Sequence, residues 1–327
     1  MPFAHYIKEI GRGMEGAGEL SEHDAYQLFG AMLDGGVPEL ELGAILLALR
    51  VRSEALSELI GFCGALNERL FRVCAPLGKA KPVLLPSYSG ALHQPNLLPL
   101  LALLLQRFGV PVLVHGTLNG NGRVASAYVF RELGMMPCAN LTQAQDALDK
   151  VGIAFVPTAV FAPGLADLLS LRGRLGVRSS ADLIAKLIDP FEGGGLRVVS
   201  ASQPRHLEKM HDLLLTTGAH ALLLRSTEGE PFANPGRRPR LEYFRDAAVQ
   251  LLFEAETGPL ENISALPAGI DAAATAAWVK SALAGETPVP LPLVNQLACC
   301  LFAAGYTNDM NQAKAIVAVE TGSLAAA

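Results

Sequence analysis

The sequence predicts an α/β protein. A small all-helical domain, residues 1–75, is completed by a helix-rich insertion at about residues 161–190. A larger domain, residues 80–160 and 195–327, carries a mainly parallel sheet flanked by helices. Three observations predict it. Up to Leu70 the apolar residues recur at helical spacing, with no alternating run. From Val83 onward, short apolar runs alternate with longer helical stretches, the pattern of parallel βαβ units. And 327 residues, 50% of them hydrophobic, exceed what one small core needs.

Each element follows from local chemistry. Ser21 is an N-cap, with Asp24 three residues on in an imperfect capping box. The helix it opens sets Ala25, Leu28, Phe29 and Met32 on one face and stops at Gly35-Gly36. Leu40 to Val51 is apolar on most faces, and Ser53 to Leu70 repeats the period through Leu56, Leu59, Ile60, Cys63 and Leu66. Ala75 to Pro82 reads as a linker. Strands are predicted at Val83–Leu85, Val110–Val114, Ile153–Pro157, Leu196–Ala201 and Ala219–Leu224. Helices are predicted near 95–108, 123–134, 142–150 and 204–217, then at Ala272–Leu283, Leu291–Ala304 and Met310–Thr321. Phe161 to Ile188 is helix-rich and interrupts the alternation. Ser226 to Pro239 is polar and turn-rich.

Composition narrows the function classes. The formal net charge of −5 argues against a uniformly basic nucleic-acid binder and leaves room for local basic patches. The five cysteines have no metal spacing and read as reduced and mostly buried, with Cys299-Cys300 in an apolar helix. No apolar run is long enough to span a bilayer, and Met1–Ile10 has no signal core. The expectation is a cytoplasmic protein without membrane contact.

The stretch from Lys81 to Gly134 organises the chain: strand, loop, helix, strand, loop, helix. Its loops, Pro86-Ser87-Tyr88-Ser89-Gly90 and His115-Gly116-Thr117-Leu118-Asn119-Gly120-Asn121-Gly122, leave the carboxyl ends of strands, where α/β folds place ligands. The second precedes a helix whose N-terminus suits an anion, with Arg123 assisting, though such loops are also plain turns. His115 and His93 suit acid–base chemistry, but no nucleophile or carboxylate lies near them in sequence, so they read as structural.

Leu20–Leu70, with its Ala44-Ile45-Leu46-Leu47-Ala48-Leu49-Arg50 core, resembles the helical domain of anthranilate phosphoribosyltransferase, of glycosyltransferase family 3. So do Phe161-Ala162-Pro163, Arg172 with Leu175-Gly176-Val177-Arg178, and Val294-Asn295. The resemblance covers nearly the whole chain. It implies that family's fold, shared with class II nucleoside phosphorylases. The active-site motifs depart from it. The family's GTGGD loop, for phosphoribosyl diphosphate, falls on Pro86-Ser87-Tyr88-Ser89-Gly90. Its NIST asparagine matches Asn96, followed here by Leu97-Leu98-Pro99. Of KHGNR only His115-Gly116 survives, with Thr117 next. The basic residue of SSKSG is matched by Arg123, with Ser126 the hydroxyl nearby. Of the magnesium-holding acidic pair, near Glu230-Pro231, one carboxylate remains.

Glycine loops bind phosphate because bare backbone N–H groups approach it closely. Pro86 removes a donor and Tyr88 fills space. Magnesium on a diphosphate needs carboxylates in fixed geometry. The residues Ser87, Tyr88, Ser89, Gly90, Asn96, His115, Gly116 and Thr117 therefore read as a degenerate phosphate site. No catalytic residue, metal or cofactor is expected, magnesium entering only if the chain is a transferase on an altered substrate.

This pattern is similar to YbiB-type paralogues of the enzyme, and that resemblance implies a homodimer, joined through the helical domain, that binds nucleic acid without sequence preference. Candidate contacts are Arg172, Arg174 and Arg178; Arg205 and Lys209, one helical turn apart and beside His206 and His211; Arg237, Arg238 and Arg240, near Arg245, Tyr243 and Phe244; and Arg123 and Arg131. The family uses the arginine matching Arg172 to hold the carboxylate of anthranilate. Taken singly, each cluster also reads as ordinary solvated surface. Three functions follow from this reading: a non-catalytic nucleic-acid binder, an altered phosphoribosyl- or glycosyltransferase, and a small-molecule sensor.

Overall fold

The computed structural model describes residues 3–13, 16–78, 80–258, 266–267 and 269–322. In chain order the helices α1 (Ala4–Ile10), α2 (Glu22–Leu33), α3 (Glu39–Arg52) and α4 (Leu56–Asn67) come first. Then follow β1 (Val83–Ser87), α5 (Leu98–Arg107), β2 (Val112–Gly116), α6 (Ser126–Glu132), α7 (Leu141–Val151) and β3 (Ile153–Pro157). The helices α8 (Thr158–Phe161), α9 (Pro163–Ser170), α10 (Arg172–Leu175) and α11 (Ser180–Ile184) interrupt. The chain continues with β4 (Leu196–Ala201), α12 (Pro204–Thr216), β5 (Ala221–Arg225), β6 (Leu241–Arg245), β7 (Ala248–Phe253), α13 (Ala272–Leu283), α14 (Leu291–Ala303) and α15 (Met310–Thr321).

These form two compact units, 1–72 with 158–190, and 73–157 with 191–327. In the helical unit, Ser21 Oγ accepts the backbone N–H of Asp24 and starts α2. Helices α2 and α4 pack closely: a Cβ on Gly61 would lie 2.4 Å from Glu22 O, and Phe29 stacks on Phe62 at 4.6 Å between ring centroids. Glu58 is fully buried. Arg52 Nη2 donates to both of its oxygens at 2.5 and 2.6 Å, and the N–H groups of Leu20 and Ala55 donate at 2.9 and 2.8 Å. A buried carboxylate held this fully is tolerated; one stripped of its partner is not.

The second unit is one sheet in the order β3-β2-β1-β4-β5-β6-β7. Pairings from β3 to β5 are parallel, and β6 and β7 add an antiparallel hairpin at one edge. The central strands β1 and β2 are buried along their whole length, which explains their apolar, non-alternating sequences. Side chains two apart, such as Val83 and Leu85, Val112 and Val114, and Val198 and Leu196, belong to one core with Leu101 and Leu105 of α5 and Leu297 and Cys300 of α14. Burying each such side chain contributes roughly 1.5–3 kcal/mol.

The hairpin β6–β7 is absent from the sequence reading. Its turn is Asp246-Ala247, with left-handed φ of 52° and 58°, geometry that usually announces itself through Gly or Asn. Its outer strand shows four exposed residues in succession, so no alternation marks it. The predicted strands at 110–114 and 219–224 begin two residues later, at Val112 and Ala221, because Val110-Pro111 and Ala219-His220 lead into the ladder. Among the described residues no helix is long and apolar enough to cross a membrane.

Candidate functional site

The loops leaving β1 and β2 meet at the carboxyl end of the sheet, because these strands pair in parallel and end together at Ser87 and Gly116. Gly116 is required there: a Cβ would lie 1.8 Å from Ser87 O. Tyr88 is buried, and its hydroxyl hydrogen-bonds His115 Nδ1 at 2.9 Å. Burial alone pushes the His115 imidazole down to about 3, so it is neutral at physiological pH.

A third loop fills the site. Thr227 and Glu230 bridge each other across Glu228-Gly229, whose φ values of 53° and 101° make a left-handed turn. That turn delivers the Glu230 carboxylate, fully buried, onto the backbone of the first loop. Its Oε1 accepts the N–H groups of Ser89 at 2.8 Å and Gly90 at 2.7 Å. Its Oε2 accepts Ser126 Oγ at 3.3 Å. Ser126 also accepts Ser87 Oγ at 2.8 Å and Asn96 Nδ2 at 3.1 Å. Two successive backbone donors converging on one carboxylate form an anion cradle, and the anion is the protein's own side chain.

Glu228 does the same beside it. Its carboxylate accepts the N–H groups of Leu92 and His93, and Arg123 donates to its carbonyl and reaches its Oε2 at 3.5 Å. Arg123 also donates to Gly90 O at 3.1 Å, so its guanidinium ties the two loops together. Magnesium does not fit these residues. Glu230 is committed to three donors, the next residue, Pro231, supplies no carboxylate, and among the described residues no three His, Cys, Asp or Glu side chains converge.

Residues 4–69 match the helical bundle domain of the glycosyl transferase family. The uncharacterized protein YbiB of Escherichia coli is 40% identical over 306 residues, spanning 93% of this chain and 95% of that one. The chain belongs to the YbiB family of anthranilate phosphoribosyltransferase-like proteins. An anthranilate phosphoribosyltransferase of Rhodospirillum rubrum is 26% identical over 93% of this chain and 88% of that one. The solved structure of the Thermus thermophilus anthranilate phosphoribosyltransferase superposes with a TM-score of 0.75 at 24% identity, over 97% and 94% of the two chains. That of Saccharomyces cerevisiae, in complex with PRPP and Mg, gives 0.74 at 13% identity, over 99% and 93%. The helical domain plus mostly parallel α/β sheet is thus the fold of these transferases.

In this YbiB-family chain the candidate arginines fall into distinct environments. Arg174 pairs with Glu39 at 3.0 Å and Arg172 reaches Asp182 at 3.9 Å, with Arg178 adding to the field on Asp182. Arg240 pairs with Glu242 and Glu254, both at 3.0 Å, and Arg238 with Glu256 at 3.7 Å. Arg131 lies over the Tyr128 ring at 5.7 Å. Lys209 also engages a neighbouring group. Carboxylates thus offset much of the charge that the sequence alone presents as basic clusters. Arg205, in the first turn of α12, and Arg237 have no ion-pair partner among the described residues, and neither has Arg225, a residue the sequence reading passed over. Arg225 ends β5 opposite Ala201, the last residue of β4, so it projects at the same carboxyl end as Arg205. Glu228, Gln94 and Ser226 were also missed. The surviving acid at Glu230 was visible, but nothing local revealed where it turns.

Proposed function

We propose that this chain is a non-catalytic, sequence-independent nucleic-acid-binding protein on a transferase fold, with a degenerate diphosphate site. One contrast carries the reading. The backbone donors suited to a diphosphate hold Glu230, while Arg205, Arg225 and Arg237, at the same end of the sheet, have no carboxylate partner among the described residues. Unmatched guanidinia suit phosphodiesters, which need positive charge but no enclosed pocket. The chain needs no cofactor for this. Five free cysteines fit a reducing cytoplasm.

A homodimer through the helical domain belongs to the same proposal. Leu40, Leu47 and Val51 of α3 are exposed and recur along one face. Fluorescence anisotropy with unrelated single- and double-stranded oligonucleotides tests the binding. Affinities should be alike across sequences and fall steeply between low and moderate salt. Absence of binding at low salt ends the proposal. The second reading, a transferase on an altered substrate, draws on the relatives' activity and would require Glu230 to leave its donors. A micromolar calorimetric signal with phosphoribosyl diphosphate and magnesium would favour it.

A further inference from the structure

A cleft of about 870 Å³, separate from the Ser89–Gly90 cradle, is walled by α12, the end of β5 and the 226–240 loop. Its arginines are of two kinds. Arg240 is matched by Glu242 and Glu254, Arg238 lies 3.7 Å from Glu256 with its Nη1 making no hydrogen bond among the described residues, and Glu228 is held by Arg123 and two backbone N–H groups. Arg225 and Arg237 face the same space with no carboxylate partner among the described residues. Arg237 Nε, Ser226 Oγ and Gln94 Oε1 are buried there without a hydrogen-bond partner among the described residues. Native proteins nearly always pair such groups. Unmatched arginines, with a hydroxyl and an amide carbonyl that lack partners in the lining of one concavity, outline the contacts of a ligand.

The chemistry of those contacts selects a class. Two guanidinia and a hydroxyl suit a phosphate dianion, which accepts several charged hydrogen bonds at once. Gln94 Oε1 accepts only, so the ligand also donates. Glu208 and Asp212 on α12 line the cleft too; they accept from hydroxyl or amino groups and repel a second anionic end. Leu207 and Pro239 supply apolar wall. The volume lies in the range of small-molecule sites, roughly 300–1,000 Å³. We propose that this cleft binds a nucleotide-sized phosphomonoester, with its phosphate between Arg225 and Arg237 and its hydroxyl or amino donors toward Gln94 and the α12 carboxylates. The cleft shares Arg225 and Arg237 with the proposed polynucleotide surface, and the assignment goes beyond that reading in placing a terminal phosphomonoester between them.

The phosphomonoester has two possible sources, a free nucleoside 5′-monophosphate or the 5′-terminal nucleotide of a strand. Calorimetry on the full chain uses adenosine 5′-monophosphate, adenosine and inorganic phosphate. The monophosphate should bind, inorganic phosphate should bind more weakly, and adenosine should give no heat. Arg225→Gln with Arg237→Gln should weaken the monophosphate at least about tenfold. Lys150→Gln, which removes a charge paired with Asp146 on α7, should leave it unchanged. If the double variant melts early, Arg225→Gln alone, on an exposed side chain, carries the same test. At a salt concentration that suppresses non-specific strand binding, displacement by a 5′-phosphorylated but not a 5′-hydroxyl oligonucleotide would identify a strand terminus, and displacement by neither would identify the free nucleotide. The proposal is overturned if the monophosphate gives no heat, if the arginine variants bind it as the wild type does, or if the 5′-hydroxyl strand displaces it equally well.

Discussion

At the scale of single residues, Glu230 decides what the first loop can hold. Its carboxylate satisfies two backbone N–H groups and a serine hydroxyl in a buried setting. Glu230→Ala should therefore destabilise the protein by about 1–3 kcal/mol, through donors left unpaired. Because the empty cradle would then suit an anion, millimolar pyrophosphate should recover part of that loss in chemical denaturation, and should do nothing for the wild type. A variant that unfolds as the wild type does would mean the cradle is not held by this carboxylate. His115 makes a second prediction. Its folded value, depressed to about 3, lies below the ordinary 6.5 of the unfolded chain. Between those limits the unfolded state binds the extra proton, so stability is lost as pH falls from about 6.5 toward 3. His115→Gln, which keeps a hydrogen-bonding partner for Tyr88, should remove up to about 1.4 kcal/mol of that loss per pH unit. Unfolding titrations at pH 7 and pH 5 on both proteins measure it; parallel slopes would refute it.

At the scale of elements, two local conflicts are resolved by their neighbours. Ala247 holds a left-handed φ of 58° because β6 and β7 must turn there with their ladder intact. Ala247→Gly should relieve that backbone and raise stability by about 0.5–1 kcal/mol, after the unfolded-state entropy of glycine is counted. A lower melting temperature would contradict this. In the helical unit, α3 and α4 depend on Arg52 and Glu58. Glu58→Ala leaves a buried guanidinium unpaired and should cost about 3–5 kcal/mol, read from the denaturation midpoint. A loss under about 1 kcal/mol would show that the pair is replaceable.

At the scale of the whole molecule, charge distribution matters more than charge. The chain is acidic, yet Arg205, Arg225 and Arg237, at one end of the sheet, have no carboxylate partner among the described residues. Replacing all three with glutamine should weaken oligonucleotide binding alike for every sequence and lower the slope of log affinity against log salt by up to about 0.9 per phosphate contact removed on duplex DNA. Replacing Arg174 and Arg240, already matched by carboxylates, should change it much less. Equal effects of the two sets would remove the distinction. Light scattering should report a dimer, and charge substitutions at Leu40 and Val51 should give monomers; a wild-type monomer at micromolar concentration would end the dimer proposal.

The sequence by itself determined the helical block, the parallel strands and the loops at their carboxyl ends, because helical spacing, apolar runs and capping residues act within a few positions of one another. Ser21 and the run from Val83 show that directly. Its resemblance to the transferases set the expectation that Pro86, Tyr88 and Pro231 fall where a diphosphate loop and an acidic pair belong. Tertiary structure alone decided the rest. The carboxylate that fills the cradle comes from a residue 140 positions away from Gly90. The Asp246-Ala247 turn is imposed by its ladder, not by its residues. Which arginines remain unmatched depends on glutamates brought alongside by β7 and the loop after it. Pairing and burial across long sequence separations are set by where the chain returns, and no local pattern encodes that.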